Sequence, residues 1–175
     1  MIPYTLLEFN EVNSTSDFLK ENHTSFSHMT FVRADYQTNG RGQYTNHWES
    51  KPYENILFSL LLKNVEFHQI MQLKTWMITT LKSFLQEKGI DAKFKEPNDL
   101  YVENRKIAGI LFETLSDANH FIYVVIGVGI NINQRLFNTP DCTSLNNELG
   151  HLLDLKALFN ELLEQLLNSY KNMFY

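Results

Sequence analysis

Apolar and polar positions change their spacing several times along the chain, and each change marks an element. Two stretches carry apolar residues at three- and four-residue intervals. Phe67, Ile70, Met71, Met77, Ile78, Leu81, Phe84 and Leu85 fall on one side of a helix predicted over 67–88, with Gly89 as its stop. Leu155, Leu158, Phe159, Leu162, Leu163, Leu166, Leu167 and Tyr170 do the same for a final helix, which Asp154 is placed to cap. The span 55–63 holds a nearly unbroken apolar run from Ile56 to Leu62, which suits a strand buried on both faces. Shorter strands are predicted over 4–9 and 29–34, with a short helix between them capped from Asn13-Ser14-Thr15.

In the second half, 93–95 leads into a Pro97-Asn98-Asp99 turn. Strands then follow over 100–103, 106–114 and 121–132. Tight turns at Asn104-Arg105 and Asp117-Ala118-Asn119 join them into an antiparallel meander. The span 37–47 is polar, contains glycine and has no apolar period, so it reads as a surface loop. The sum is one α+β domain over 1–175, a mostly antiparallel sheet with helices on one face.

Composition narrows the function. With 15 Lys and Arg against 20 Asp and Glu the net charge is −5, and no basic face stands out, which argues against gripping nucleic acid. No apolar run is long enough to span a bilayer, and the N-terminus lacks the basic and apolar stretches of a signal peptide. Cys142 is the sole cysteine and cannot close an internal disulfide, which fits a reducing cytoplasm. His23, His28, His47, His68, His120 and His151 show no metal-ligand spacing, so no protein-held metal is expected.

Four segments carry candidate chemistry. In Gln37-Thr38-Asn39-Gly40-Arg41-Gly42-Gln43 two glycines let the backbone turn and offer its N–H groups to an anion, while Arg41 adds a forked positive charge. Trp48 follows as a cover for a ring; a solvated turn is the alternative for the whole segment. In Lys95-Glu96-Pro97-Asn98-Asp99 and the strand from Lys106, the lysine either reaches to water or points into a cleft beside Asp99. Gly109 in that strand suggests a close approach by a ligand or another backbone. Gly127, Gly129, Asn131 and Asn133 leave one strand face bare with hydrogen-bonding groups at its end, or else serve tight packing. Ser14, Thr15 and Ser16 either cap a helix or bind a polar ligand.

Taken in order, these segments resemble the catalytic domain of the biotin protein ligases. That family shows an early Ser-Thr pair, then Gln, Gly-Arg-Gly and Trp. It continues with Lys-Trp-Pro-Asn-Asp, Lys-x-x-Gly-Ile-Leu and Gly-Ile-Gly-Ile-Asn-x-Asn. Here these are Ser14-Thr15, Gln37, Gly40-Arg41-Gly42, Trp48, Lys95 to Asp99, Lys106 to Leu111 and Gly127 to Asn133, with Thr143-Ser144-Leu145 before the last helix.

The resemblance implies a fold related to class II aminoacyl-tRNA synthetases and a two-step reaction with ATP and Mg²⁺. Biotin is first activated to biotinyl-AMP, then transferred to a lysine of a biotin carboxyl carrier protein such as the biotinyl domain of acetyl-CoA carboxylase. It implies Arg41, Lys106 and Asp99 as catalytic residues, the first two offsetting anionic charge and the third accepting or orienting the carrier lysine's proton. It implies Ser14, Thr15, Ser16, Gln37, Gly40, Arg41, Gly42, Gln43, Lys106, Gly109, Gly127 and Gly129 around biotin, the bare glycines making room for its apolar parts. Arg41, Trp48, Asn98, Lys106 and Asn131 fall to ATP. Homodimer formation through an edge within 106–132 stays open.

The chain departs from the family pattern at Glu96, where Trp is usual, at Gln43, where Arg is frequent, and at Thr45, where Gly is common. Glu96 is expected to weaken anion binding if it points inward, and Gln43 to loosen biotinyl-AMP. No helix-turn-helix precedes Met1, so no repressor role is expected; no SH3-like domain, which in the family helps bind ATP and the carrier, follows Tyr175, and less than full activity is expected. A lipoate ligase or octanoyltransferase of the same fold, the latter through a Cys142–Lys106 pair, and a non-catalytic biotin-binding protein are the competing readings; Cys142 reads as a small buried residue.

Overall fold

The computed structural model describes residues 2–175. Seven strands form one sheet: β1 (Thr5–Val12), β2 (Thr30–Gln37), β3 (Asn55–Val65), β4 (Lys93–Lys95), β5 (Asp99–Val102), β6 (Arg105–Ser116) and β7 (Phe121–Asn131). Their order is β1-β2-β3-β7-β6-β5-β4. Every neighbouring pair is antiparallel except β1 and β2, which run parallel because the short helix α1 (Thr15–Glu21) returns the chain between them.

The strand predicted over 55–63 is β3, at the centre of the sheet, and it is packed on both faces. Ile56, Phe58, Leu60 and Leu62 point to one side and join the larger core with helices α2 (Ile70–Glu87) and α4 (Leu155–Phe174). Leu61 points to the other, where Val32, Val125 and Leu19 of α1 meet it. The two long helices share one face, as expected, while α1 lies on the opposite one.

Both helix ends read from the sequence are present. Asp154 accepts hydrogen bonds from the Lys156 and Ala157 amides, and Gly89 takes the left-handed conformation (φ 83°) after α2. The apolar stripe of α2 differs from the expected one. Phe67 and Met71 are exposed, and Leu73 and Trp76 take the buried positions. Phe67 lies in a separate 3₁₀ turn, Phe67–Gln69, ahead of the α-helix, and within the helix the buried stripe runs through Leu73, Trp76, Met77, Thr80, Leu81, Phe84 and Leu85, which leaves Met71 on the solvent side. A further short helix, α3 (Leu145–Leu149), was not predicted; Ser144 caps it. Among the described residues no helix is long and apolar enough to cross a membrane.

His28 seals the far end of the larger core. Its Nδ1 accepts from the Lys63 amide at 3.2 Å, and its Nε2 lies 3.3 Å from the Tyr170 hydroxyl. Burial pushes its pKa below the usual imidazole value, against the opposing pull of the Lys63 backbone. A depressed pKa means that the unfolded chain takes up the proton first as pH falls, so this stability is complete above about pH 6.5 and is lost below it. Melting temperature measured from pH 7.5 down to pH 5 is therefore expected to fall more steeply for the wild type than for His28→Gln; parallel curves would contradict it.

Candidate active site

On the α1 side of the sheet, packed residues give way to bare backbone. Val125, Gly127, Gly129 and Asn131 share one face of β7. Val125 is covered by α1, whereas the glycines beyond it present only backbone. Gly109 of β6 stands opposite Gly129, so the two make a flat floor. A cleft of about 680 Å³, its open mouth included, lies over this floor.

Trp48 occupies part of that space. A methyl carbon at Gly129 would stand 2.4 Å from its indole, and one at Gly109 2.8 Å, closer than van der Waals contact permits. The expected room for a ligand at these two glycines is thus filled by an aromatic side chain. Gly127 makes room for Ser16, whose Oγ would lie 2.6 Å from a carbon added there. Ser16 and Thr15 both hydrogen-bond to the Ser59 hydroxyl, at 2.8 and 2.7 Å. Gln37 Oε1 accepts from the Thr15 amide at 2.7 Å and from its hydroxyl at 3.0 Å. Ser14 caps α1 by accepting from the Asp17 amide and stands outside the cleft lining.

The loop from Gly40 to Trp48 folds on itself. The Gly42 amide donates to the Asn46 carbonyl, the Trp48 amide donates to Gly40, and Arg41 bridges His47. The Gly42 N–H is therefore spent within the loop, and neither glycine has a positive φ; that role falls to Tyr44 at the exposed tip. The anion-attracting group that the loop offers is the Arg41 side chain, two-fifths exposed and lining the cleft, with Nη2 3.6 Å from Glu113.

Lys106 points into the cleft, which decides between the two readings of that residue. Its ammonium pairs with Asp99 at 2.8 Å and sits 5.3 Å from the centre of a Trp48 ring. Asp99 is brought there by the register that pairs it with Gly109. Asn98 lines the cleft, and its carbonyl accepts from Ile110. Gln43 lines the mouth. Glu96 does not face the cleft; it is exposed on a more apolar groove between α2 and the β4–β5 turn, near Lys74 and Phe94. Asn131 stands behind Lys106, donating to the Thr143 carbonyl at 2.9 Å, and its Oδ1 is buried without a partner.

Cys142 is half-buried, and its backbone forms a parallel bridge with Lys106. Burial pushes its thiol above the usual range despite the nearby ammonium, so it is protonated at neutral pH and a poor nucleophile.

Two positions that shape the cleft or the loop beside it were not singled out in the sequence. Ser59 is the lone polar residue in the apolar run of β3, and that break in the pattern was its signal. Glu49 had no signal. Its carboxylate accepts from the Asn138 and Thr139 amides and the Thr139 hydroxyl, fastening the chain beside Trp48 to the segment that leads to Cys142. These bonds lower its pKa against a burial contribution that acts in the opposite sense.

Comparison with known proteins places this arrangement. The model of the Biotin/lipoate A/B protein ligase family matches residues 8–131. The bifunctional ligase/repressor BirA of Bacillus subtilis is 31% identical over 141 residues, 77% of this chain and 43% of that protein. Biotin–protein ligase 2 of Arabidopsis thaliana is 29% identical over 173 residues, 93% of this chain and 50% of that protein. The chain thus spans about half the length of these curated relatives or less. A solved structure of biotin protein ligase from Aquifex aeolicus in complex with biotin and ATP superposes with a TM-score of 0.82 at 32% identity, covering 95% of this chain and 70% of that one. An archaeal lipoate protein ligase from Thermoplasma acidophilum shares the fold at a TM-score of 0.67 and 12% identity. By its sequence and its fold, this chain belongs to the biotin/lipoate A/B protein ligase family.

Proposed function

We propose that this chain uses ATP to convert biotin to biotinyl-AMP and then transfers the biotinyl group to a lysine of a biotin carboxyl carrier protein. The observation that carries this reading is the Lys106–Asp99 pair set on a glycine floor beneath Trp48, with Arg41 at the same cleft. Similarity to a biotin protein ligase that binds biotin and ATP supports the choice of ligands.

In the first step a biotin carboxylate oxygen attacks the α-phosphorus, and the bond to pyrophosphate breaks. A carboxylate is already nucleophilic, so this step needs two anions held together and the growing phosphoryl charge offset rather than a strong base. Arg41 and Lys106 supply that charge. Thr15, Ser16 and Gln37 hold the polar ring end of biotin, and Ser14 acts only by capping α1. Trp48 borders the adenine, Asn98 lines the nucleotide side, and Asn131 steadies the backbone behind Lys106. In the second step the carrier amine attacks the acyl carbon and AMP leaves. As Lys106 turns to the phosphate, Asp99 is released to take or orient the departing proton.

Magnesium has no ready-made cage here. Among the described residues no group of three His, Cys, Asp or Glu side chains could hold a metal ion. The donor set does not fit a resident ion, and no step is routed through one; Mg²⁺ that arrives on the triphosphate belongs to the substrate.

Acyl transfer through Cys142 is the second reading, favoured by its bridge to Lys106 and opposed by its raised pKa. Supplying biotin, lipoate and an octanoyl carrier separately distinguishes the two. Labelling that survives Cys142→Ser removes the thiol route.

Two outcomes follow for the main reading. Lys106→Ala is expected to lower biotin-dependent pyrophosphate release by about 100-fold or more, the usual loss when a group offsetting transition-state charge is removed. Unchanged release would refute its role. Gln43→Arg is expected to slow dissociation of biotinyl-AMP by about tenfold, near the worth of one charge-assisted hydrogen bond. Equal off-rates measured by filter capture would refute the view that Gln43 leaves the adenylate loosely held.

A further inference from the structure

Glu113 lies on β6 opposite Val125, on the same face as the cleft but outside its lining. Its Oε1 accepts from Lys20 at 2.7 Å and stands 3.6 Å from Arg41 Nη2. Its Oε2 is buried without a hydrogen-bond partner. Lys20 belongs to α1, the helix that carries Thr15 and Ser16, and pairs as well with Asp17 at 2.7 Å. One carboxylate rooted in the sheet therefore reaches both the loop that carries Arg41 and the helix that carries Thr15 and Ser16.

From this juxtaposition we propose that Glu113 is a positioning residue, holding one edge of the Arg41 guanidinium so that its remaining N–H groups face the anionic ligand. The inference rests on the adenylate-forming reading above. At 3.6 Å the contact is an ion pair rather than a hydrogen bond, and because a guanidinium presents its five donors in a rigid fork, a carboxylate held at one edge biases which way the rest face. A long side chain two-fifths exposed otherwise samples many rotamers, and ordering it would fall on the binding step. The Lys20 contact keeps the carboxylate itself in place. Burial pulls the Lys20 pKa down, but its bonds to Asp17 and Glu113 outweigh that and raise it, so the anchor is charged at neutral pH.

Positioning and bulk charge predict opposite signs. If Glu113 merely diluted the positive field, Glu113→Gln would strengthen anion binding and raise kcat/KM for biotin. If it positions Arg41, the same change lowers kcat/KM by about tenfold, a modest loss for a misplaced charge. The loss should vanish in an Arg41→Ala background, because the group being positioned is gone. Glu113→Asp, which keeps the charge on a shorter stem, should recover part of the activity.

A second readout needs no ligand. Trypsin cleavage after Arg41 in the full chain should be severalfold faster in Glu113→Gln than in the wild type, at unchanged melting temperature, because a pinned side chain resists capture by the protease. Unchanged cleavage, a rise in kcat/KM, or an equal loss in the Arg41→Ala background would each overturn the proposal. A wild type that cleaves as expected yet releases no pyrophosphate with biotin would sink the ligase reading and leave the anchoring of Arg41 standing.

Discussion

The site exists because one sheet face is packed along half its length and bare along the other half. A sheet in water must bury its apolar faces, and here the larger core satisfies one of them completely with α2 and α4. On the opposite face α1 covers Val125, Val32 and Leu61, and then the side chains stop. Gly127, Gly129 and Gly109 leave bare backbone beyond it. A loop lays Trp48 over two of these glycines, and α1 sets Ser16 over the third. Everything that carries charge in the cleft, Lys106, Asp99 and Arg41, is arranged around that filled but shallow floor.

The electrostatics follow the same economy. The chain is net negative, yet the cations near the cleft come with a carboxylate close by: Lys106 with Asp99, and both Arg41 and Lys20 with Glu113. Such pairs keep the resting site nearly neutral and hold long side chains in a few geometries. An incoming anion meets preset donors and competes with a resident carboxylate for them.

Long-period patterns were legible in the sequence, and contacts across the fold were not. The stripe of α4, the doubly buried β3 and the β5–β6–β7 meander followed from spacing alone, because burial dictates which positions are apolar. The start of α2 differs because Phe67 sits in a separate 3₁₀ turn and the buried stripe passes through Leu73 and Trp76, two apolar positions whose spacing fits a helix as well as that of Ile70 and Met71. The ordered motifs identified the family, and Lys106 does meet Asp99. What each glycine faces was not legible: Trp48 lies against Gly129 and Gly109 in the cleft they line, and Ser16 against Gly127. Glu49 and Glu113 escaped notice because an acidic residue that fastens a distant segment looks, in one dimension, like any solvated charge.

The two tryptophans divide the molecule between them. Trp76 is sealed in the larger core and donates to Ser169 at 2.8 Å, while Trp48 lies in the cleft with an ammonium over its ring and its Nε1 without a hydrogen-bond partner. One indole thus experiences the interior and the other the working surface. Intrinsic emission from this chain is consequently a two-part signal with no label added, in which occupancy of the cleft acts on Trp48 while unfolding releases both indoles to water.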